Sequence, residues 1–130
     1  AEEIYIVSSG ELMSLYAANN IAKGVRRFAA RGVVKLGGII GNGRDVAREK
    51  ELLEAFAARL GTKLIAYIPR SAAVHEAEIH RQTLIAYAPD SAQAKIYEEL
   101  AAAIEGNKNL VIPKPMAFEE LEDLVESYGN

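Results

Sequence analysis

The chain has 130 residues, 50% of them hydrophobic and 25% charged, and its formal net charge is −3. This length and composition are typical of a single globular domain that spans residues 1–130. The weakly acidic balance argues against nucleic-acid binding, which needs a basic stripe, and no apolar run approaches the about 18 residues that span a bilayer.

The basic residues between Lys23 and Arg31 lie on a predicted helix, where they indicate a solvated face. No charged segment followed by an apolar stretch suggests a leader peptide, so we expect a cytoplasmic protein. The chain has no cysteine, which excludes disulfides, thiolate zinc sites and all-cysteine iron–sulfur ligation by its own residues.

The first half of the chain alternates between strand and helix patterns. Ile4 to Val7 predicts a buried parallel strand, Glu11 to Ala30 a helix, Val33 to Ile40 a second strand and Lys63 to Ile68 a third. Ser9 and Asp45 are the predicted N-caps, and Gly32 and Gly61 the predicted stops. The second helix should bury one stripe, formed by Leu52, Leu53, Phe56, Ala57 and Leu60.

The second half is predicted to be mainly helical. A short helix is expected over Ser71 to Arg81 and a longer one over Ser91 to Glu105, with Ile96, Tyr97, Leu100 and Ile104 on one face. Thr83 to Tyr87 reads as a short strand or an extended loop, and Val111 to Pro115 as extended because of its prolines. A last amphipathic helix carries Phe118, Leu121, Leu124, Val125 and Tyr128.

These elements predict an α/β fold in three layers, with a small parallel sheet of three main strands flanked by helices. Gly41-Asn42-Gly43 follows the second strand, at the edge of such a sheet where ligands bind. The glycines leave room for a ligand beside the backbone, and the next helix N-terminus favours an anion. As a dinucleotide fingerprint the motif fails, because Val46 stands at the third glycine position.

Two histidines and a pair of asparagines are further candidates for a site or a polar contact. His75 and His80 lie five apart on a short helix, so they point roughly 140° from each other and do not match a zinc-binding pair. Asn19-Asn20 lies in mid-helix, where asparagine is unfavourable. We therefore expect a polar contact for this pair, with the strand-end loops as candidate partners.

Several segments together resemble one family, the nitrogenase iron protein and its close reductase relatives. They include Ile4 to Glu11, Ala17 to Ile21, Leu36 to Arg44, Pro69-Arg70, Ala77 to Ile79 and Leu110 to Pro115. The resemblance covers about residues 3 to 129 and implies a partial P-loop-NTPase-like fold that lacks the phosphate-loop half. In that family, ATP hydrolysis is coupled to electron donation from a [4Fe–4S] cluster to a nitrogenase partner.

The resemblance also implies a set of adenosine-binding residues. Asn42 matches an asparagine that bonds adenine, and an amide suits adenine because it offers one donor and one acceptor side by side. Pro69 and Arg70 match the loop over the nucleoside, Glu78 an acid that reaches the ribose, and Gln93 and Tyr97 residues near the base. The family pattern is broken at Ser71, usually aspartate, at His75, often glutamine, and at Gly43, usually serine.

The sequence contains no G-x-x-x-x-G-K-[ST], and Ser8 to Glu11 is too short for a phosphate cradle and carries an acid. We therefore expect no cofactor in this segment, no independent catalysis, and nucleotide affinity near or weaker than ~1 mM, about 4 kcal/mol. The resembled family usually carries cysteine at the positions of Ser8 and Gly41. Their replacement predicts an engineered C-terminal segment.

Without a neighbour, the Ile4–Val7 strand would leave unpaired backbone groups at its edge. We expect a homodimer or higher oligomer through that edge, unless the C-terminal segment folds over it or a complementary N-terminal half pairs with it. The alternative function is a designed scaffold with vestigial nucleotide contacts.

Overall fold

A computed structural model describes residues 2–32 and 34–129 and contains one sheet in that part of the chain. The first half forms β1 (Glu2–Ser8), α1 (Leu12–Ala29), β2 (Val34–Asn42), α2 (Glu49–Leu60) and β3 (Leu64–Ile68). The second half forms α3 (Ala72–Ile79), α4 (Leu84–Tyr87), α5 (Ala92–Gly106) and α6 (Phe118–Gly129). The strand order is β1-β2-β3 with both pairings parallel, which confirms the predicted fold class.

Helices cover both faces of the sheet. On one face, α1 packs on β1 and β2, α2 packs on β2 and β3, and α6 contacts both helices. The main core lies between these helices and the sheet, with Leu15, Leu36, Leu53, Phe56 and Leu121 fully buried. Helix α5 lies outside this core and contacts β3.

The prediction of a buried first strand is wrong for Val7, and Ile4 and Tyr5 are only half-buried. Ile6 and Ser8 are buried, but Val7 between them is 58% exposed. Because β1 is an edge strand and α5 packs mainly on β3, the face of β1 that carries Val7 is covered only in part: Asn107, which follows α5, donates to the Tyr5 hydroxyl, whereas Val7 is left exposed. The central strand β2, in contrast, is buried from Leu36 to Gly41.

Both predicted N-caps are wrong. Helix α1 starts after Glu11, and the Ser9 backbone N–H instead donates to Ser14 Oγ at 2.9 Å. Helix α2 starts after Arg48, since Asp45 (φ 60°) and Arg48 (φ 53°) both take left-handed backbone conformations and delay the helix.

The segment Thr83 to Tyr87 is neither a strand nor an extended loop. It forms the one-turn helix α4, whose start is capped by Thr83 Oγ1 accepting from the Ala86 N–H at 3.1 Å. A helix of one turn is too short to show the repeating spacing of apolar residues from which helices are predicted.

The other predicted elements are confirmed. The α2 stripe is buried, and Gly61 ends that helix at φ 88°, a conformation that favours glycine. Val111 forms an antiparallel bridge to Leu36, as an extended segment can. The predicted face of α5 is only half-buried, and its buried residues are Gln93 and Ala94. Val33, the predicted first residue of the second strand, lies outside the described residues.

Candidate functional site

The carboxyl ends of the three parallel strands lie along one edge of the sheet. Ser8 at the end of β1 pairs with Gly41 of β2, and Asn42 at the end of β2 pairs with Ile68 at the end of β3. The loops that follow these strands therefore sit side by side. In open α/β sheets this edge is where ligands bind.

A cleft of about 300 Å³ opens at this edge, and we call it the strand-end cleft. It is lined by every residue that the family resemblance singled out, namely Asn42, Pro69, Arg70, Glu78, Gln93 and Tyr97. The remaining lining residues are Gly43, Arg44, Ile68, Ser71, Val74 and His75. The fold thus brings the predicted residues together, and their ligand stays a prediction.

Four elements supply these side chains. Asn42 ends β2, Pro69 and Arg70 follow β3, and Glu78 lies on α3. Gln93 and Tyr97 are one turn apart on the same face of α5. Gln93 is 6% exposed, and its Nε2 donates to the Pro69 carbonyl at 3.0 Å. This bond ties α5 to the loop after β3 and so holds the two walls of the cleft together.

The polar groups at the mouth of the cleft are accessible. The Asn42 side chain is exposed and makes no hydrogen bond to any residue that the structure describes, so its amide is available to a ligand. Arg70 Nη1 lies 3.8 Å from Asp45 Oδ2, and both side chains are mostly exposed. Such a surface pair contributes little stability and leaves the guanidinium free to move.

A second, smaller cleft of about 220 Å³ adjoins the first and shares Asn42 and Arg44 with it. It is lined also by Val7, Ser8, Ser9, Glu11 and Ser14. Glu11 Oε1 lies 3.7 Å from Arg44 Nε, so a carboxylate stands beside the cation nearest to this space. A phosphate placed here would meet that negative charge.

Glu49, which is not among the residues predicted for this site, is the most buried carboxylate at this edge of the sheet. Glu49 is 3% exposed and accepts hydrogen bonds from the Gly10 N–H at 2.8 Å and the Arg44 N–H at 3.0 and 3.1 Å. It also accepts from the Tyr67 hydroxyl at 2.8 Å. Burial, then this hydrogen bond, raises the pKa of Tyr67 to about 12, so the phenol remains a donor at neutral pH.

Nothing in the sequence distinguishes Glu49 from its charged neighbours. It lies in the run Arg48-Glu49-Lys50-Glu51, which reads as a solvated helix start. Glu51 does behave so, because it pairs with Arg48 at 2.9 Å on the surface. Glu49 differs because the β1–α1 loop, the β2–α2 loop and Tyr67 of β3 all donate to its carboxylate.

The donor set does not fit an iron–sulfur cluster. The chain has no cysteine, and the described residues contain no group of three or more His, Cys, Asp and Glu that could hold a metal ion. The two histidines have different surroundings, since the His80 ring stacks on the Tyr87 ring with their centroids 4.6 Å apart, whereas His75 lines the strand-end cleft. None of the helices described is long and apolar enough to cross a membrane.

Comparison with known proteins gives one family and one fold. The chain matches, over residues 1–130, the profile of the 4Fe-4S iron sulfur cluster binding proteins of the NifH/frxC family. Among solved structures it is similar to the cell division ATPase MinD of Pyrococcus furiosus, with 24% identity and a TM-score of 0.63. The match covers 81% of this chain and 43% of that one, so the chain spans less than half of the solved structure's length.

Proposed function

Because this chain belongs to the NifH/frxC family of 4Fe-4S iron–sulfur cluster binding proteins, we propose that its strand-end cleft binds the adenosine end of an adenine nucleotide. One observation carries the proposal: residues from β2, the loop after β3, α3 and α5 line a single cleft, with an unengaged asparagine amide at its mouth. The similarity to an ATPase fold agrees with a nucleotide at this edge of the sheet.

The chemistry of the cleft suits a nucleoside. The Asn42 amide can donate to and accept from an adenine edge, and the Glu78 carboxylate can accept from ribose hydroxyls. Pro69, Val74 and the ring of Tyr97 offer apolar surface to the base. A volume of about 300 Å³ lies at the small end of ligand pockets, so we expect weak binding, with a Kd near or above ~1 mM.

We further propose that this chain does not hydrolyse ATP by itself. Phosphoryl transfer needs a lysine-bearing loop, a magnesium site and a positioned water. The loop after β1 offers instead Ser8 to Glu11, whose carboxylate would repel a phosphate. ATP turnover that survives further purification and is abolished by Asn42→Ala would overturn this proposal.

We also propose that the chain is a redesigned C-terminal segment of such a protein. Where the resembled family usually has cysteine, Gly41 is closely surrounded: a Cβ there would lie 2.8 Å from Tyr67 Cδ1 and 2.9 Å from Leu53 Cδ1. A cysteine would thus require different packing around it, which supports coordinated replacement. Comparing the intact mass with the coding gene tests whether the segment is encoded as such or cut from a longer protein.

Nucleotide binding is tested by titrating adenosine and AMP while following amide shifts. We expect localised shifts at Asn42, Arg70 and Tyr97. Replacing Asn42 with alanine should weaken binding about tenfold, because about 1–2 kcal/mol of hydrogen bonding to the base is lost. Asn20→Ala, a change of an exposed asparagine on α1, is the matched control and should leave the affinity unchanged. The absence of any shift would favour the scaffold alternative.

For the partner, we propose that a second copy of this chain pairs along the free edge of β1. In the described part of the chain β1 pairs only with β2, and no C-terminal residue covers its outer edge. Met13, Ile21 and Phe28 of α1 are 69%, 50% and 53% exposed, and their spacing places them on one stripe with Ala17 and Gly24. Unpaired edges and exposed apolar stripes both favour association.

The stripe is complementary to itself. It lies on the side of α1 away from Asn19, which contacts the segment leading into α6. Two antiparallel copies would place Met13 opposite Phe28 and Ala17 opposite Gly24. Glu11 at one end of α1 would then lie near the basic end of the other copy, where Arg27 and Arg31 are found.

Sedimentation of the protein at tens of micromolar tests whether two copies of the chain associate. We expect a dimer that Ile21→Lys converts to monomer, whereas Ile85→Lys, a change of an isoleucine 46% exposed on α4, should remain dimeric. A monodisperse monomer of the unmodified chain would contradict the proposal. If that monomer then bound a co-expressed segment bearing the family's phosphate loop, the complementary half would be the partner instead.

A further inference from the structure

Glu49, at the start of α2, contacts two loops and the neighbouring strand β3. Its Oε2 accepts from the Gly10 N–H in the β1–α1 loop, and both oxygens accept from the Arg44 N–H in the β2–α2 loop. Its Oε1 also accepts from the hydroxyl of Tyr67 on β3. Because each oxygen serves more than one donor, no neutral side chain of the same size can replace all of these bonds.

Two glycines make the approach of these loops possible. A Cβ on Gly10 would lie 2.9 Å from Glu49 Cγ, and a Cβ on Gly43 would lie 2.9 Å from the Tyr67 hydroxyl oxygen. Gly43 also donates its N–H to the Ile68 carbonyl at 2.7 Å, which brings the loop after β2 against the end of β3. The loops therefore pack on the Glu49–Tyr67 pair directly.

The conformation of the β2–α2 loop must be stabilised by contacts with other residues. Asp45 and Arg48 are both in left-handed conformations, at φ 60° and 53°, which cost free energy for residues other than glycine. Such a conformation persists only where surrounding contacts enforce it. The bonds from Arg44 N–H to Glu49 anchor the loop at its start, two residues after Asn42.

We propose that Glu49 is a positioning residue for the strand-end cleft: its carboxylate holds the β2–α2 loop against the β1–α1 loop and so places Asn42 for the ligand. This inference rests on the proposed function, since it assigns the residue that orients the adenosine-binding asparagine. Glu49 does not line the cleft itself. Its effect on the ligand must pass through the loop.

The test compares three variants of the full chain by AMP titration and by amide hydrogen exchange. Glu49→Gln keeps the volume but presents an N–H₂ group to a backbone N–H, so we expect AMP binding at least tenfold weaker. The Gly10 and Arg44 amides should then exchange at least tenfold faster. Tyr67→Phe removes one bond and leaves those to Gly10 and Arg44, so its effect should be smaller.

Asn19→Ala is the control for a merely structural role, because it removes buried hydrogen bonds at the far side of α1, remote from the cleft. It should lower the melting temperature without changing the affinity for AMP. The positioning role is overturned if the unmodified chain binds AMP and Glu49→Gln binds within twofold of it. If the unmodified chain shows no AMP shifts at all, both the proposed function and this inference fail, whereas AMP binding by the unmodified chain that falls at least tenfold in Glu49→Gln supports both.

Discussion

Replacing Phe56 with alanine is expected to lower the free energy of unfolding by about 3–5 kcal/mol. Phe56 is fully buried on α2, in the core between that helix, the sheet and α6. The loss has two parts, the transfer free energy of the aromatic ring and the cavity that remains where the packing cannot collapse. For a domain with about 5–15 kcal/mol of total stability, this change removes a large share.

Urea unfolding of the two proteins measures this effect as a shift in midpoint at unchanged slope. The matched control is Phe118→Ala, since Phe118 is 40% exposed and packs edge-to-face on Tyr16 at a centroid distance of 5.3 Å. It should cost only about 0.5–1.5 kcal/mol. If Phe56→Ala cost no more than Phe118→Ala, the core would not be centred where the structure places it.

Replacing Asn19 with alanine should destabilise the chain by about 2–4 kcal/mol. Asn19 is 2% exposed, its Nδ2 donates to the Met116 carbonyl, and its Oδ1 accepts from the Met116 N–H, both at 2.8 Å. Alanine would leave both buried backbone groups without partners, and each such loss costs about 1–3 kcal/mol, which entering water offsets in part. These bonds span 97 residues of sequence, so they fasten the segment before α6 onto α1.

Asn20→Ala is the reference for this measurement, because Asn20 is exposed at the next position of the same helix. Both substitutions gain the same intrinsic helix propensity, about 0.5 kcal/mol. The difference between their free energies of unfolding therefore isolates the contribution of the two hydrogen bonds between Asn19 and Met116. Equal unfolding midpoints for the two variants would contradict the role given to Asn19. The finding also corrects the expectation that the asparagine pair contacts the strand-end loops.

Topology alone makes the clustering of the residues at the strand ends foreseeable. Once three parallel strands are identified, their carboxyl ends must lie on one edge, and the loops after them must be neighbours. Asn42 and Pro69 are therefore placed by the strand pattern. Gln93 and Tyr97 follow from helical spacing on α5, although their approach to the loop after β3 depends on a bond from Gln93 to the Pro69 carbonyl.

The sequence by itself determined the order of the strands and of every helix except α4, the buried stripe of α2 and the left-handed stop at Gly61, because each depends on a local period or on one residue's backbone freedom. Only the tertiary structure decided that Glu49 is buried while Glu51 is solvated, that Val7 is exposed, and that Asn19 holds Met116. Each of those outcomes depends on which distant segment packs against the residue. A short-range sequence pattern does not predict that tertiary contact. A carboxylate or an amide looks the same in the sequence whether water or a remote backbone N–H becomes its partner.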